Sequence, residues 1–300
     1  MALMTESDRP AGAPLGRPDG QFTLDHGIQV PQQRPRHHDE DYDPAGFDVL
    51  LAMQRDHFWY RGRHRLLLKA LQHEAGRQFA RVRNLRAIDL GGGCGGWIEY
   101  LHIHGDGSFV ELALGDSSMR ALTLAEPVVG SIASRYQIDL LKLDWSEAWD
   151  VVFLLDVVEH IPDHAEVLRQ ARKSLRPGGL LFVTTPALNA FWSYNDVVAH
   201  HQRRYCKQDF RELAKATGLE LVRADYFMFF LSPLLLLSRL LTRPSAAATP
   251  QELQATLAHT HRIPVRPVNA FLAGVLAVEA SLVNHVSFPW GTSILAVFRR

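Results

Sequence analysis
Ala87-Ile88-Asp89-Leu90-Gly91-Gly92-Gly93-Cys94-Gly95-Gly96-Trp97 is the stretch on which the fold turns. An apolar strand carrying an acid runs into a glycine-dense turn, and a helix opens at Trp97-Ile98-Glu99-Tyr100-Leu101. Glycine lets the backbone turn tightly and approach a ligand with no Cβ in the way. A turn of this kind, between a strand and a helix, is where nucleotide-like cofactors sit in doubly wound sheets.

Two cofactors compete for it. Gly91, Gly93 and Gly96 satisfy G-x-G-x-x-G, and Asp116 follows at about the ~20-residue interval of a ribose-binding acid, so a nicotinamide dinucleotide enzyme is one reading. Asp89 argues against it. The pyrophosphate at such a helix N-terminus is anionic and disfavours a carboxylate in the preceding strand. A cationic cofactor, S-adenosylmethionine with its sulfonium and ammonium groups, tolerates that acid far better.

The loop resembles the first motif of class I S-adenosylmethionine-dependent methyltransferases, and the chain continues in that family's order. Glu111-Leu112-Ala113-Leu114-Gly115-Asp116 resembles the second strand and Ile138-Asp139-Leu140-Leu141-Lys142-Leu143-Asp144-Trp145 the third. Trp149 to Ile161, with Asp156-Val157-Val158-Glu159-His160-Ile161, resembles the fourth strand and its exit, and Leu175-Arg176-Pro177-Gly178-Gly179 the turn into the fifth. The resemblance covers residues 50–300 approximately. It implies an α/β, Rossmann-like seven-stranded sheet with an antiparallel last strand and S-adenosyl-L-methionine as cofactor. It also implies roles: Asp116 for the ribose hydroxyls, Asp144 for the adenine amino group, and the backbone of Gly91, Gly93 and Gly95 for the methionine part. Asp89 would orient the amino group, and Asp156 would stand at the reaction centre. Trp145 is either an adenine-edge residue or a core tryptophan.

Composition sets the outer limits. Lys+Arg and Asp+Glu balance at 32 each, so no global positive field favours nucleic acid. Two cysteines, Cys94 and Cys206, make a disulfide framework improbable and suit a reducing compartment. There is no basic-then-apolar leader pattern, and no apolar run reaches the ~18–20 residues of a membrane span. The expectation is a cytoplasmic enzyme, with a membrane-associated variant of that reading attached to one late segment.

Along the chain, residues 1–42 read as a disordered tail, His37-His38 included, and residues 43–82 as an N-terminal helical cap, with one helix from Pro44 to about Arg81. The cap contains Phe58-Trp59-Tyr60-Arg61-Gly62-Arg63, which resembles an F-W-Y-x-x-R motif of helices that cover the methionine end of the cofactor. Tyr60 is accordingly a candidate acceptor-side residue. Residues 83–300 form the methyltransferase domain, with alternating strands and helices. An apolar helical insertion at about 227–290 precedes the last strand, Thr292 to Phe298. Its apolar segments, beginning at Phe227 and Val268, suit an acceptor-pocket lid, a homo-oligomer interface or a peripheral membrane contact.

Methyl transfer to oxygen or nitrogen needs an in-line nucleophile and a proton acceptor. The candidate bases are His160, at the exit of the fourth strand, and His201 in Asp196-Val197-Val198-Ala199-His200-His201-Gln202-Arg203-Arg204-Tyr205. That run resembles a signature, H-x-R-R-Y, of methyltransferases found beside glycan and natural-product genes. Arg204 and Tyr205 could hold a polar acceptor, or Arg203 and Arg204 could pair with Asp196 and Glu212 to fix the loop. A His160–His164 metal pair is disfavoured because Pro162 breaks the helical register, so no metal is expected. The acceptor expected is a small hydrophobic or amphipathic molecule such as a terpenoid, prenylated or lipid-linked compound, methylated at O, N or C. A non-catalytic cofactor-binding subunit is the other class.

Overall fold
A computed structural model describes residues 22–35, 46–79, 84–241 and 262–300. His37-His38, the start of the tail and most of the polar loop beginning at Arg243 lie outside the described residues. Leu85–Leu90 (β3) is apolar enough to be buried on both faces, as a central parallel strand requires. Phe109–Asp116 (β4) and Trp149–Leu155 (β6) lie parallel on either side of it. With Phe22–Asp25 (β1), Ile28–Pro31 (β2), Ser134–Gln137 (β5), Leu175–Pro186 (β7), Glu220–Phe227 (β8) and Ser293–Arg299 (β9), the order is β1-β2-β5-β4-β3-β6-β7-β9-β8. β9 runs antiparallel to both its neighbours, as expected of the last strand.

Among the described residues the sheet has nine strands rather than seven. The two additions form a hairpin, and it lies inside the stretch 1–42 read as disordered. Phe22-Thr23-Leu24-Asp25 and Ile28-Gln29-Val30 alternate, and His26-Gly27 turns between them with both φ values positive (47° and 77°). That backbone matches the twist of a two-residue hairpin. Ile28 and Val30 are buried, and β2 extends the sheet in parallel beside β5. The third strand of the motif series is also displaced: Ser134–Gln137 is the strand, and the run from Ile138 to Trp145 is loop. The cap is likewise two helices rather than one, Gly46–Met53 (α1) and Phe58–Gln78 (α2), because His57 adopts extended backbone and caps α2 through its ring.

Gly96–His104 (α3), Met119–Leu124 (α4) and Glu126–Val129 (α5) follow, with His164–Ser174 (α6), Tyr194–Val198 (α7) and Lys207–Thr217 (α8) later in the chain. Between β8 and β9 come Ser232–Leu241 (α9) and Arg266–Leu282 (α10). α10 packs on α2 so closely that a Cβ on Gly62 would collide with the Leu276 side chain. Asn269 locks the junction between the two cap helices: its amide donates to Asp56 O at 2.8 Å and its oxygen accepts from Phe58 N at 2.9 Å. The opposite face is apolar and open, with Phe271 70% exposed and Val278, Leu234 and Leu237 more than half exposed. No helix among the described residues is long and apolar enough to cross a membrane.

Candidate active site
The parallel strands β3, β4, β5, β6 and β7 present their carboxyl ends to one edge, and the candidate residues gather there. The glycine turn is shaped by its backbone. Gly91, Gly93 and Gly95 have φ values of 74°, 56° and 79°, which residues with a Cβ resist. Gly93 N donates to Asp116 Oδ2 at 3.0 Å and Ser118 N to Asp116 Oδ1 at 2.9 Å. A carboxylate oxygen has two acceptor sites, so Asp116 keeps capacity for a diol while being held in place.

Asp89 lies beneath the turn. It is buried, and its Oδ1 has no hydrogen-bond partner. Burial pushes its carboxyl up to about 7; Arg63 opposes that rise, and the Asp116 and Asp156 charges add to it. α1 covers the turn from outside. A Cβ on Gly93 would stand 2.8 Å from Leu50 Cδ2, Cys94 Sγ donates to Phe47 O at 3.5 Å, and Asp48 pairs with Arg120 of α4.

Asp156 closes β6 with a positive φ of 58°, a conformation that a non-glycine residue holds only against strain. Its carboxylate pairs with Arg63 of α2 and accepts from Thr184 Oγ1 at 3.3 Å. The Arg63 guanidinium lies over the Trp59 and Tyr60 rings, 4.7 and 5.3 Å from their centroids. Tyr60 is half-buried with its hydroxyl pushed up to about 12 by desolvation, so it stays protonated as a donor. Arg63 was visible in the F-W-Y-x-x-R stretch, but its reach across to Asp156 was not.

The profile of the methyltransferase domain family matches residues 51–224. The chain belongs to the methyltransferase domain family. Among similar proteins, the ubiquinone biosynthesis O-methyltransferase of Hydrogenovibrio crunogenus is 28% identical over 131 residues, covering 39% of this chain and 49% of that protein. A probable S-adenosylmethionine-dependent methyltransferase of Mycolicibacterium smegmatis is 26% identical over 188 residues, covering 59% of this chain and 65% of that protein. The chain thus spans less than two thirds of the length of these curated relatives. The fold is shared with phosphoethanolamine N-methyltransferase 2 of Haemonchus contortus, solved in complex with S-adenosyl-L-methionine. The TM-score is 0.52 at 14% identity, covering 91% of this chain and 61% of that one.

The cofactor of this methyltransferase domain is S-adenosyl-L-methionine, and the dinucleotide reading of the glycines is set aside. The residues fit such a group. The left-handed glycine turn is one that side chains could not follow, since a Cβ there would press on Val157, Leu50 or Val129; the unpartnered Asp89 Oδ1 beneath it suits a cation, and Asp116 suits a ribose.

Other candidates fare differently. Asp144 is exposed in the loop after β5, whereas Asp139, which sequence reading passed over, follows the strand end directly. Its neighbour Ile138 donates to Asp116 O at 3.0 Å, and Asp139 Oδ1 accepts from Leu141 N at 2.9 Å. Trp145 is a core residue, 5.4 Å from Tyr136 and 5.7 Å from Trp149 between ring centroids, so it lines no adenine edge.

The Asp196 loop is built around one carboxylate. Arg204 grips it with Nε at 2.8 Å and Nη2 at 3.0 Å, Ser193 N donates at 2.7 Å, and His201 Nδ1 lies 2.9 Å from Oδ1. Burial would raise the Asp196 carboxyl, but the His201 and Arg204 hydrogen bonds outweigh it and hold it well below the usual range. Arg204 also donates to Ala187 O at 3.0 Å, so its fork is spent inside the protein rather than on an acceptor. Tyr205 is buried too, its hydroxyl donating to Val158 O at 3.2 Å with His164 Nδ1 2.6 Å away. Both side chains are tied up inside the protein. Arg203 donates to Pro162 O, and Glu212 takes Gln208 instead of either arginine.

His160 and His201 do come together, with ring centroids 4.8 Å apart at 79°. Burial first, then the neighbouring His201, lowers His160 to about 3, so its imidazole is neutral and a weak base. Between them and the sheet lies Glu159, fully buried, with neither carboxylate oxygen hydrogen-bonded. Burial, reinforced by Asp156, raises its carboxyl well above the ordinary range. Sequence reading quoted Glu159 but gave it no role.

Proposed function
We propose that the protein transfers a methyl group to a hydroxyl oxygen of a small amphipathic acceptor, with His201 receiving the acceptor's proton. The Asp196–His201 pair carries this reading. A carboxylate on Nδ1 fixes the ring and leaves Nε2 as the acceptor nitrogen, the arrangement of a general base. His160 is the weaker candidate, because burial holds its imidazole neutral to low pH.

When bound, S-adenosyl-L-methionine supplies an electrophilic methyl group. The chain's residues do the rest: Asp116 holds the ribose end, Asp89 offers a carboxylate to the cationic end, and Arg63 offers a guanidinium to the methionine carboxylate. Asp139, at the end of β5, is better sited than Asp144 to reach an adenine amino group. Tyr60 and Trp59 wall the cleft from α2, and Asn269 keeps that helix seated.

An amphipathic acceptor is supported by the apolar face of α9 and α10 beside this cap, where Phe230, Leu234, Phe271 and Trp290 are exposed. A lipid-linked acceptor or a membrane surface could present itself there. The ubiquinone-biosynthesis O-methyltransferases among the similar proteins support oxygen as the methylated atom.

Titration calorimetry with S-adenosylhomocysteine, with NADH as control, tests the cofactor. Methyl transfer to a set of prenylated catechols and phenols tests the acceptor. His201→Ala should lower kcat and leave S-adenosylhomocysteine affinity intact; an unchanged kcat would remove His201 from the chemistry.

A further inference from the structure
We propose that Glu159, His160 and His201 form a binding site for one divalent first-row transition-metal ion. One ligand-capable atom from each lies within 4.8 Å of the other two. Two imidazoles and one carboxylate are the donor set that such ions take, with positions left for exogenous ligands.

Three observations make this more than proximity. Glu159 is fully buried, yet both of its carboxyl oxygens lack a hydrogen-bond partner, an arrangement costly enough to call for a ligand. His201 is oriented by Asp196 on Nδ1, leaving Nε2 for a ligand. His160 is hydrogen-bonded to the backbone of Ala199. Metal-bound histidines commonly carry such a carboxylate or carbonyl on the other nitrogen, which fixes tautomer and ring plane.

The protein holds these groups from both sides. Glu159 and His160 sit at the exit of β6, while His201 arrives from the loop after α7, and Gln202 N donates to Glu159 O at 2.8 Å, tying the two segments together. Zinc–nitrogen bonds are ~2.0–2.1 Å, so filling the site would draw the three atoms closer by up to about 1.5 Å. The half-buried His160 and His201 leave an approach from the cleft.

The site stands on its own ligands; its use rests on the oxygen methylation proposed above and takes the place of His201 as the proton acceptor. With the ion present, His201 Nε2 is a ligand. The acceptor hydroxyl would then be acidified by the ion acting as a Lewis acid, and its proton would pass to solvent as the oxygen takes the methyl group.

The test uses the full chain, stripped with chelator and dialysed. Co2+ is titrated while the visible d–d bands and the bound metal per chain are measured, and S-adenosylhomocysteine binding is followed on the same sample. One Co2+ per chain is expected, with affinity falling at least tenfold in Glu159→Gln and in His201→Ala. If Glu159→Gln does not fold, His201→Ala reads the same prediction from the rim of the site. No stoichiometric binding, or binding unchanged in the folded variants, overturns the proposal. A chain that binds S-adenosylhomocysteine and methylates an acceptor without metal loses the ion and keeps His201 as base. One that binds Co2+ at these residues but methylates nothing loses the acceptor reading instead.

Discussion
Replacing Asp89 by Asn should stabilise the cofactor-free protein above neutral pH, by an amount the structure lets us work out. The carboxyl is at about 7 when folded against an ordinary value of 3.8, chiefly because it is buried. The folded chain therefore holds a proton that the unfolded chain has released. Stability falls as pH rises from about 4 towards 7, and levels off once the folded group has also ionised. At about 1.4 kcal/mol per pH unit, the wild type should lose about 2.5 kcal/mol relative to Asp89→Asn between pH 5 and pH 8. Urea unfolding followed by the fluorescence of the 6 tryptophans, at several pH values across that range, measures the difference. A gap between the two proteins that does not change with pH would refute the reasoning, since it would mean that Asp89 is already ionised in the empty site. Saturating S-adenosylhomocysteine should shrink the pH-dependent part, because the ligand's ammonium favours the carboxylate. The same variant should bind that ligand more weakly at pH 8.

Asp116→Ala removes a carboxylate that could accept two ribose hydrogen bonds, each ~1.5–3 kcal/mol when charge-assisted, so calorimetry should show affinity for S-adenosylhomocysteine reduced a hundredfold or more. Unaltered affinity would move the ribose elsewhere. Arg204→Lys keeps the charge but breaks the two-pronged grip on Asp196, and should lower kcat with little change in KM for the cofactor; an equal loss in both would place Arg204 in the cofactor site. Gly62→Ala should destabilise the protein by about 1–3 kcal/mol through overpacking against Leu276, despite the better helix propensity of alanine. A rise in Tm would show that α10 moves aside freely.

What could be read from the sequence was what the backbone itself dictates. A turn that needs three left-handed glycines, an acid closing the next strand and an apolar run ending at Asp156 are local signals, and each lands at the sheet edge. The hairpin at Phe22–Pro31 was missed because its few alternating residues sit between polar, Pro- and Gly-rich stretches, and its burial comes from β5, far along the chain. The third strand was misplaced because Ser134-Arg135-Tyr136-Gln137 looks polar; Arg135 can be buried because Leu122 O, Gly27 O and the Glu126 carboxylate satisfy its guanidinium. The roles of Arg204 and Tyr205 depended on partners such as Ala187 and Val158, which no spacing rule connects to them. The meeting of Glu159 with His201 was hidden for the same reason.

Asn269 joins residues more than 200 positions apart, Asp56 and Phe58 on one side and α10 on the other. During synthesis, α1 and α2 leave the ribosome more than 200 residues ahead of the amide that seats their junction. The nascent chain can complete its central sheet from β3 to β7 while the front of the cofactor pocket still lacks its fastening. Fastening of that pocket thus waits on translation of α10.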